Sequence, residues 1–276
     1  MIQTTGLNRN PIDKYYTSPI SVESCMTLIK NNVDIQPDDL CIEPSAGDGA
    51  FINSIKSTFK HYVFYDISPE HDDILQQDYL NLTIPPNKRI HVIGNPPFGR
   101  QSSLAIKFIK KSTSFCNSLS FILPKSFKKD SLKKHFPLSF HLKIEYDLSK
   151  NAFIVDNKCY DVPCVFQIWV KCDTNRFIQD KLTPNGFQFV KKNVAHDISF
   201  RRVGVNAGYI DKNTLLKSEQ SHYFIKFNEP FTESQFEKLS TITYSCKENT
   251  VGPKSISKQE LMKGFNMTNA FTAFNI

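Results

Sequence analysis

Residues 41–51 read Cys-Ile-Glu-Pro-Ser-Ala-Gly-Asp-Gly-Ala-Phe, and this stretch decides the fold that the sequence predicts. It follows a strand-like run and precedes a helix-like one. Gly47 and Gly49 allow a sharp turn and a close approach of the backbone to a ligand, because they carry no Cβ. Ile52 occupies the place of a third glycine, so the fingerprint of dinucleotide sites is incomplete and a pyrophosphate ligand is disfavoured.

Acidic side chains lie at the ends of the two strands around this turn. Glu43 ends the first predicted strand, and Asp66 ends the next, 19 positions after Gly47. An acid at about this spacing hydrogen-bonds ribose hydroxyls in nucleotide sites. The pattern predicts a cofactor with one adenosine and a charged amino-acid tail, with Glu43 near the ammonium end. The alternative is an ordinary strand–turn–helix in which a carboxylate caps the turn.

Strand-like and helix-like runs alternate through residues 1–172. This order is typical of βαβ units with a parallel sheet covered on both faces. The predicted strands are 40–43, 62–65, 90–94, 118–123 and 165–170, and the predicted helices are 21–31, 49–59, 104–113 and 130–135. After Cys172 the sequence changes to short mixed segments with turn signals. We therefore expect two domains, 1–172 and 173–276.

A proline-rich segment, Asn95-Pro96-Pro97-Phe98, follows the apolar strand 90–94. Two prolines stop the strand, so Asn95 is held at its carboxyl edge, where ligands bind in open parallel sheets. The Asn95 amide oxygen and the Pro96 carbonyl suit a substrate NH₂, and Phe98 offers a flat face to a planar ring. Two acceptors that hold an aromatic amine free its lone pair, and methyl transfer from a sulfonium then needs in-line approach more than a strong base. The alternative is a turn that merely ends a strand.

Together these motifs resemble the class I S-adenosylmethionine-dependent amino-methyltransferases, in particular the N6-adenine branch with an NPPF motif. Residues 13–26 are similar to an element that the family carries ahead of the glycine turn, although Ser18 stands where the family usually has proline. Residues 77–80 and 121–127 also resemble family segments, and the resemblance spans about 13–170. The order of the motifs is that of the gamma-type DNA adenine methyltransferases.

The resemblance implies a Rossmann-like α/β fold with a mostly parallel seven-stranded sheet and a small α+β C-terminal appendage. Residues 1–172 would be the catalytic domain that binds S-adenosyl-L-methionine, and 173–276 the target-recognition appendage. The implied reaction is transfer of a methyl group to the N6 amine of adenine in nucleic acid, with DNA favoured.

The resemblance also implies roles for individual residues. Glu43, Gly47, Asp66 and Asp78 would bind the methionine, backbone, ribose and adenine parts of the cofactor. Tyr16, Thr17 and Pro19 would line its carboxylate end. The implied catalytic residues are Asn95, Pro96, Pro97 and Phe98. The full set of implied cofactor-binding residues is Tyr16, Thr17, Pro19, Glu43, Pro44, Ala46, Gly47, Gly49, Asp66, Ile67, Asp78, Tyr79 and Asn95.

The charge of the chain suits a polyanionic partner. The sequence has 34 Lys and Arg against 27 Asp and Glu, a net charge of +7. The basic residues that we expect to contact the phosphates of the substrate are Arg100, Lys125, Lys128, Arg201 and Arg202. The alternatives are a solvated face for the lysines and a small core for the aromatic residues near Arg201.

Three other functions stay open on the sequence. An RNA adenine-N6 methyltransferase would need the same motifs and would suit a small appendage. Protein glutamine methyltransferases carry a similar Asn-Pro-Pro stretch, because a glutamine side chain also presents a planar NH₂. A non-catalytic binding module or the silent partner of a heterodimer is disfavoured by the intact motif and acidic positions.

Other features concern the setting of the protein. No apolar run reaches the ~18 residues of a membrane-spanning helix, and the N-terminus lacks an apolar signal core, so we expect no membrane partner. The seven scattered cysteines lack paired C-x-x-C spacing, which predicts free thiols in a reducing cytoplasmic compartment and no metal site. The abundance of Lys and Asn indicates an AT-rich bacterial or viral genome, and no feature indicates an oligomeric state.

Overall fold

The computed structural model of the chain describes residues 15–84, 88–155 and 157–268. The chain divides into two units, Met1–Phe177 and Ile178–Ile276. Each unit has its own sheet and its own buried core.

The division lies slightly later in the chain than the sequence places it. Arg176 extends the first unit, since its guanidinium donates hydrogen bonds of 2.9 Å to the backbone carbonyls of Phe136 and Phe140. The same guanidinium lies 5.2 Å from the centre of the Trp169 ring. These contacts hold the segment after Cys172 against the first unit. The functional roles of the two parts stay predictions.

The first unit contains ten strands and four α-helices among its described residues. The strands are β1 (Tyr16–Thr17), β2 (Leu40–Glu43), β3 (His61–Asp66), β4 (Ile74–Gln76), β5 (Ile90–Gly94), β6 (Ser118–Pro124), β7 (Phe140–Asp147), β8 (Phe153–Val155), β9 (Lys158–Tyr160) and β10 (Cys164–Lys171). The helices are α1 (Pro19–Asn32), α2 (Ile52–Lys56), α3 (Ser103–Thr113) and α4 (Asp130–Lys133).

Seven of these strands form the central sheet, in the order β4-β3-β2-β5-β6-β10-β7. β3 pairs parallel with β4 and β2, and β5 pairs parallel with β2 and β6. β10 is antiparallel to both β6 and β7, a pairing that needs no crossover helix. The predicted seven-stranded, mostly parallel sheet is therefore confirmed, with an antiparallel pair at one edge.

The central strands are buried along their whole length, as strands covered on both faces must be. Every residue of β5 and β6 is buried. Their apolar side chains pack with Trp169 of β10, whose ring stacks on Phe136 at 4.0 Å between centroids. Burial of a large aromatic side chain of this kind stabilises a fold by about 2–3 kcal/mol. This core fixes the positions of the strand ends.

A separate small sheet joins sequence-distant segments. β1 pairs with β8, with Thr17 opposite Phe153, and β8 pairs with β9. The backbone N–H of Ser18 continues this pairing by donating to Ala152 at 2.9 Å. The pairing attaches the start of α1 to a hairpin late in the first unit.

Two predicted helices are shorter in the structure than the sequence predicts. The helix expected over 130–135 is α4, which ends at Lys133. The helix expected over 49–59 is reduced to α2, because the preceding residues form a tight turn. Gly47 and Gly49 have φ of +56° and +86°, outside the range of a right-handed helix. The backbone N–H of Gly49 donates to Ala46 at 2.8 Å and closes this turn.

The second unit is an α+β structure. Its strands are β11 (Phe187–Val190), β12 (Ile198–Arg201), β13 (Ile210–Asp211) and β14 (His222–Phe227), and its helices are α5 (Glu233–Ser240) and α6 (Lys258–Met267). The four strands form an antiparallel sheet in the order β11-β14-β12-β13. Side chains of both helices, including Leu239 and Phe265, are buried with the aromatic residues of the sheet. Across the described residues of the chain, no helix is long and apolar enough to cross a membrane.

A buried polar network lies at the amino ends of β5 and β6. The His91 ring bonds Asp39 at 2.8 Å through Nε2 and Ser118 at 2.7 Å through Nδ1. All three side chains belong to residues that are at most 3% exposed. Burial lowers the pKa of the His91 imidazole below its ordinary value, an effect that the contact with Asp39 opposes. The folded protein therefore holds His91 neutral.

We expect this network to make the fold sensitive to acid. Because the folded state resists protonation of His91, its contribution to the free energy of unfolding is complete above the unfolded pKa of about 6.5 and is lost as the pH falls below it. His91→Gln keeps a donor for Asp39 but cannot titrate. Urea unfolding at about pH 8 and about pH 5.5 should show a smaller acid loss in this variant than in the wild type. An equal loss would contradict the role of His91.

Candidate active site

A cavity of about 370 Å³ lies where β2, β3, β4 and β5 end. Its walls come from the segments that directly follow these strands, since the carboxyl ends of parallel strands meet at one edge of the sheet. The volume falls in the range of sites for small molecules. The lining residues are Tyr15, Tyr16, Pro44, Ser45, Gly47, Asp66, Ile67, Ser68, Gln77, Asp78, Tyr79, Leu80, Asn95, Pro96, Pro97, Phe98, Leu104 and Phe108.

The glycine turn and the acid at the end of β3 are joined directly. The backbone N–H of Gly47 donates to Asp66 Oδ2 at 2.8 Å, and the N–H of Ser68 donates to Asp66 Oδ1 at 2.8 Å. Each carboxylate oxygen still has a further acceptor position, because an ionised carboxylate accepts about four hydrogen bonds. Asp66 is thus a fixed, half-buried acceptor on the cavity wall, suited to two neighbouring hydroxyls.

Glu43 lies behind the cavity wall and is 2% exposed. A Cβ on Gly94 would lie 3.2 Å from Glu43 Cγ, so the carboxyl is packed against the backbone at the end of β5. Its Oε2 has no hydrogen-bond partner among the described residues. Burial, followed by the charges of Asp48 and Asp66, raises the pKa of Glu43 well above its ordinary value. Among the described residues, no positively charged side chain forms an ion pair with this carboxyl.

The side chain of Asn95 is held by residues that come 80 and 78 positions earlier in the chain. Its Nδ2 donates to the Tyr15 carbonyl at 3.0 Å and to Thr17 Oγ1 at 3.3 Å. The contact with a carbonyl fixes the amide orientation, because a flipped amide would place two oxygens together. Asn95 Oδ1 is buried and has no partner among the described residues. The Ser45 hydroxyl also holds this segment, by donating to the Asn95 carbonyl at 3.2 Å.

Aromatic rings flank the Asn-Pro-Pro segment. Phe98 lies 6.5 Å from Tyr15 between ring centroids, at an interplanar angle of 23°. Tyr15 also stacks with Tyr160, at 5.6 Å between ring centroids and an interplanar angle of 27°. Gly99 then turns the chain with φ of +67°, and a Cβ there would lie 2.8 Å from Leu104 Cγ. After this turn the chain enters α3. The stacked rings of Tyr15 and Phe98 form a flat apolar wall in the cavity that Asn95 also lines.

Asp78 and Tyr79 close the far side of the cavity. Asp78 caps a short 3₁₀ turn, Tyr79–Asn81, by accepting from the N–H of Leu80 at 3.0 Å. The Tyr79 ring is 1% exposed, and its hydroxyl bonds Ser112 at 2.7 Å. Asp78 is therefore held in place by its own turn, with acceptor capacity left toward the cavity.

The structure brings most of the predicted site residues to this one cavity. All four predicted catalytic residues line it. Of the predicted cofactor-binding residues, those that line it are Tyr16, Pro44, Gly47, Asp66, Ile67, Asp78, Tyr79 and Asn95. Those outside the lining are Thr17, Pro19, Glu43, Ala46 and Gly49. Their roles stay predictions, and residues 13 and 14 of the family element lie outside the described residues.

Thr17 and Pro19 line a different cavity, of about 540 Å³, between residues of α1 and α2.

Some residues that line the cavity of about 370 Å³ were not predicted, because only the folded chain brings them to the site. For Ser45 the available signal was its place within residues 41–51, and for Tyr15 it was its place next to the predicted Tyr16. Leu104 and Phe108 share one face of α3 through their i, i+4 spacing, which was the available signal for them.

The predicted phosphate-contacting residues are scattered. Lys125 and Lys128 form ion pairs with Asp147 at 3.5 Å and 3.0 Å, so their charges are partly neutralised. Arg100 is exposed. In the second unit, Arg201 Nε donates to the Val203 carbonyl at 2.8 Å and supports a turn.

Arg202 is exposed, and its guanidinium lies 5.4 Å from the centre of the Tyr223 ring. This placement leaves the charge of Arg202 accessible to an anionic ligand. Within the ranges that the structure describes, no group of three or more His, Cys, Asp or Glu side chains is placed to hold a metal ion.

The sequence matches no family model and no curated protein. Among solved structures, it is similar to a candidate RNA methyltransferase from Pyrococcus horikoshii, with 16% identity over 62% of this chain and 93% of that chain and a TM-score of 0.47. A candidate class I S-adenosylmethionine-dependent methyltransferase from Listeria monocytogenes gives 15% identity, 63% and 66% coverage and a TM-score of 0.45. It is also similar to a dimethyladenosine transferase from Plasmodium falciparum, with 14% identity over 57% of this chain and 63% of that chain and a TM-score of 0.42.

We expect Glu43→Gln to stabilise the protein when no ligand is present. Since the folded pKa of Glu43 is raised, the wild type loses stability as the pH rises above the ordinary carboxyl range, whereas Gln cannot ionise. A gain in the free energy of unfolding is therefore expected at neutral pH, where burial penalises ionisation of the wild-type carboxyl. Urea unfolding measures it, with Glu23→Gln on the exposed side of α1 as the control. A gain that is equally large at about pH 4 would contradict this cause.

Proposed function

We propose that the protein is a methyltransferase that uses S-adenosyl-L-methionine and methylates the N6 amine of adenine in nucleic acid. One observation carries this proposal: the Asn95 amide oxygen is fixed and buried at the cavity, and none of the described residues bonds it. A buried acceptor left unsatisfied costs about 1–3 kcal/mol, so such an atom is a site for an incoming donor. An exocyclic NH₂ on a planar ring is the donor that fits.

The flat wall beside Asn95 supports an aromatic substrate. Phe98 presents a ring to the same cavity, and stacking on an aromatic side chain is worth about 1–3 kcal/mol per base. With the amine hydrogens bound by Asn95 Oδ1 and the Pro96 carbonyl, the nitrogen lone pair is directed away from the ring. Pro96 and Pro97 keep these acceptors from moving away. An adenine inside a duplex must leave its stack to reach them, at a cost of a few kcal/mol.

The remaining cavity residues suit the proposed cofactor. When bound, it supplies an electrophilic methyl group. Asp66 offers fixed acceptors for the ribose hydroxyls, and Asp78 offers one for the adenine amine. Glu43 has no cationic partner in the part of the chain that the structure describes, and a nearby ammonium group would lower the pKa of Glu43 and stabilise its charged form. Phe108, which is 7% exposed, adds a buried apolar side chain to the cavity wall.

DNA is the favoured substrate, because the order of the motifs resembles that of DNA enzymes. Arg100 and Arg202 are exposed cations that suit phosphate contacts. Incubation of the wild type with labelled cofactor and separate DNA, RNA and peptide pools, followed by mass spectrometry of nucleosides, tests this choice. N6-methyladenine in DNA supports it. Label only in RNA replaces DNA with RNA as the substrate, and label only in peptide glutamine overturns the adenine proposal.

Asn95→Ala should abolish methyl transfer and leave cofactor binding within about threefold of the wild type. The reason is that the variant removes the acceptor for the amine but none of the acidic groups that suit the cofactor. Loss of one fixed hydrogen-bond donor in the oxyanion hole of another enzyme costs about 10²–10³ in kcat, and a loss of at least this size is expected here. Radiolabel transfer and calorimetry measure the two quantities. Asn53→Ala, an exposed change on α2, is the control. Wild-type turnover by the Asn95 variant would disprove the assigned role.

Asp66→Ala should weaken cofactor binding by about tenfold to one hundredfold. Hydrogen bonds to a charged group contribute about 1.5–3 kcal/mol, and this carboxylate is the proposed partner of the ribose. Asp66→Asn keeps the shape of the side chain and one acceptor oxygen but removes the charge, so it separates the effect of the charge on affinity from that of the shape. Titration calorimetry with S-adenosylhomocysteine gives the affinities without turnover. Unchanged affinity in both variants would remove Asp66 from the proposed site.

A further inference from the structure

We infer that Thr17 is a positioning residue that sets the angle of the Asn95 amide, through the hydrogen bond between Thr17 Oγ1 and Asn95 Nδ2. This inference rests on the proposed function, because it concerns the group that would hold the substrate amine. It assigns to Thr17 a task different from lining the carboxylate end of the cofactor. Thr17 lies outside the lining of the cavity that contains Asn95.

The two hydrogens of the Asn95 amide have separate acceptors. One is directed to the Tyr15 carbonyl at 3.0 Å and the other to Thr17 Oγ1 at 3.3 Å. A single hydrogen bond would leave the amide plane free to rotate about the line of that bond. Two acceptors at different positions define the plane, so Asn95 Oδ1 points in one direction. Torsions of this type are otherwise broad, with weak intrinsic preference.

The acceptors are themselves rigid. Thr17 is 5% exposed and pairs with Phe153 in the small sheet of β1, β8 and β9. The next residue, Ser18, bonds Ala152 through its backbone N–H and caps α1. The position of the Thr17 hydroxyl is therefore fixed on both sides by main-chain hydrogen bonds. The small sheet is thus connected to the proposed amine site through Thr17 and the Asn95 amide.

The consequence concerns turnover more than binding. A wrongly rotated amide still occupies its place beside the cavity, but its oxygen no longer lines up with the hydrogen of the amine. Small errors in the placement of a reacting group cost rate even when the ligand still binds. Thr17 should thus affect kcat with little effect on the affinity of the cofactor.

Three variants separate the hydroxyl from the shape of the side chain. Thr17→Val keeps the branched shape and removes the acceptor. Thr17→Ser keeps the acceptor and removes the methyl group. Thr113→Val is the matched control, because Thr113 is a buried threonine whose hydroxyl donates to the Ile109 carbonyl within α3.

The expected result for Thr17→Val is a fall in kcat of about fivefold or more, the effect of one neutral hydrogen bond. KM for substrate and Kd for the cofactor should stay within about twofold, and Thr17→Ser and Thr113→Val should keep nearly the wild-type kcat. Equal kcat in Thr17→Val and Thr17→Ser overturns the inference. A loss confined to cofactor affinity also overturns it and returns Thr17 to the role in cofactor binding.

A readout without turnover keeps this inference separate from the proposed function. In ¹H–¹⁵N spectra, the Asn95 side-chain NH₂ is assigned by its absence in Asn95→Ala. In Thr17→Val one of its two protons should move upfield and exchange faster with water, while Thr17→Ser keeps both. Unaltered resonances in Thr17→Val overturn the inference whether or not the enzyme is active. If the resonances change in Thr17→Val while the wild type methylates no adenine, the inference is retained and the proposed function is rejected.

Discussion

The Asn95 amide is the constraint on which the rest of the site depends. Both of its hydrogens are bound by Tyr15 and Thr17, whereas its oxygen has no partner within the described ranges, so the side chain has a defined direction and an acceptor left to fill. Folding must accept the cost of that buried oxygen. The packed core of β5 and β6 offsets this cost, and it holds the strand before Asn95, which is buried throughout, in place. A rigid strand end is thus the condition for a fixed acceptor.

The same reasoning applies to the acids around the glycine turn. Asp66 and Glu43 end neighbouring parallel strands, so the topology alone brings two carboxyl groups near each other. Asp66 is supported by two backbone N–H groups, whereas Glu43 keeps an oxygen without a partner among the described residues. The two groups therefore respond differently to an arriving cation. On the proposed function, Glu43 would ionise fully only when a positively charged group of the ligand binds beside it.

Much of this arrangement could be predicted from the sequence. Strands with apolar runs bounded by turn residues, such as Leu40–Glu43 and Ile90–Gly94, were predicted with the bounds that the structure has. The short β4 and the half-exposed β7 were missed, because their apolar patterns are weak. For the site, spacing indicated Asp66 and Asn95. It could not indicate that Thr17 contacts Asn95 78 positions later, since only the pairing of β1 with β8 brings them together.

That pairing has a consequence for biosynthesis. A chain emerging from the ribosome presents the glycine turn and the Asn-Pro-Pro segment long before β8 exists, and domains fold only as their partners become available. Until translation has passed Val155, β1 has no complete partner strand and the amide has no fixed direction. On the proposed function, nascent polypeptides that carry every motif would therefore not yet hold a substrate amine. The site would be complete only after β8, β9 and β10, the strand that lies between β6 and β7, have all been translated.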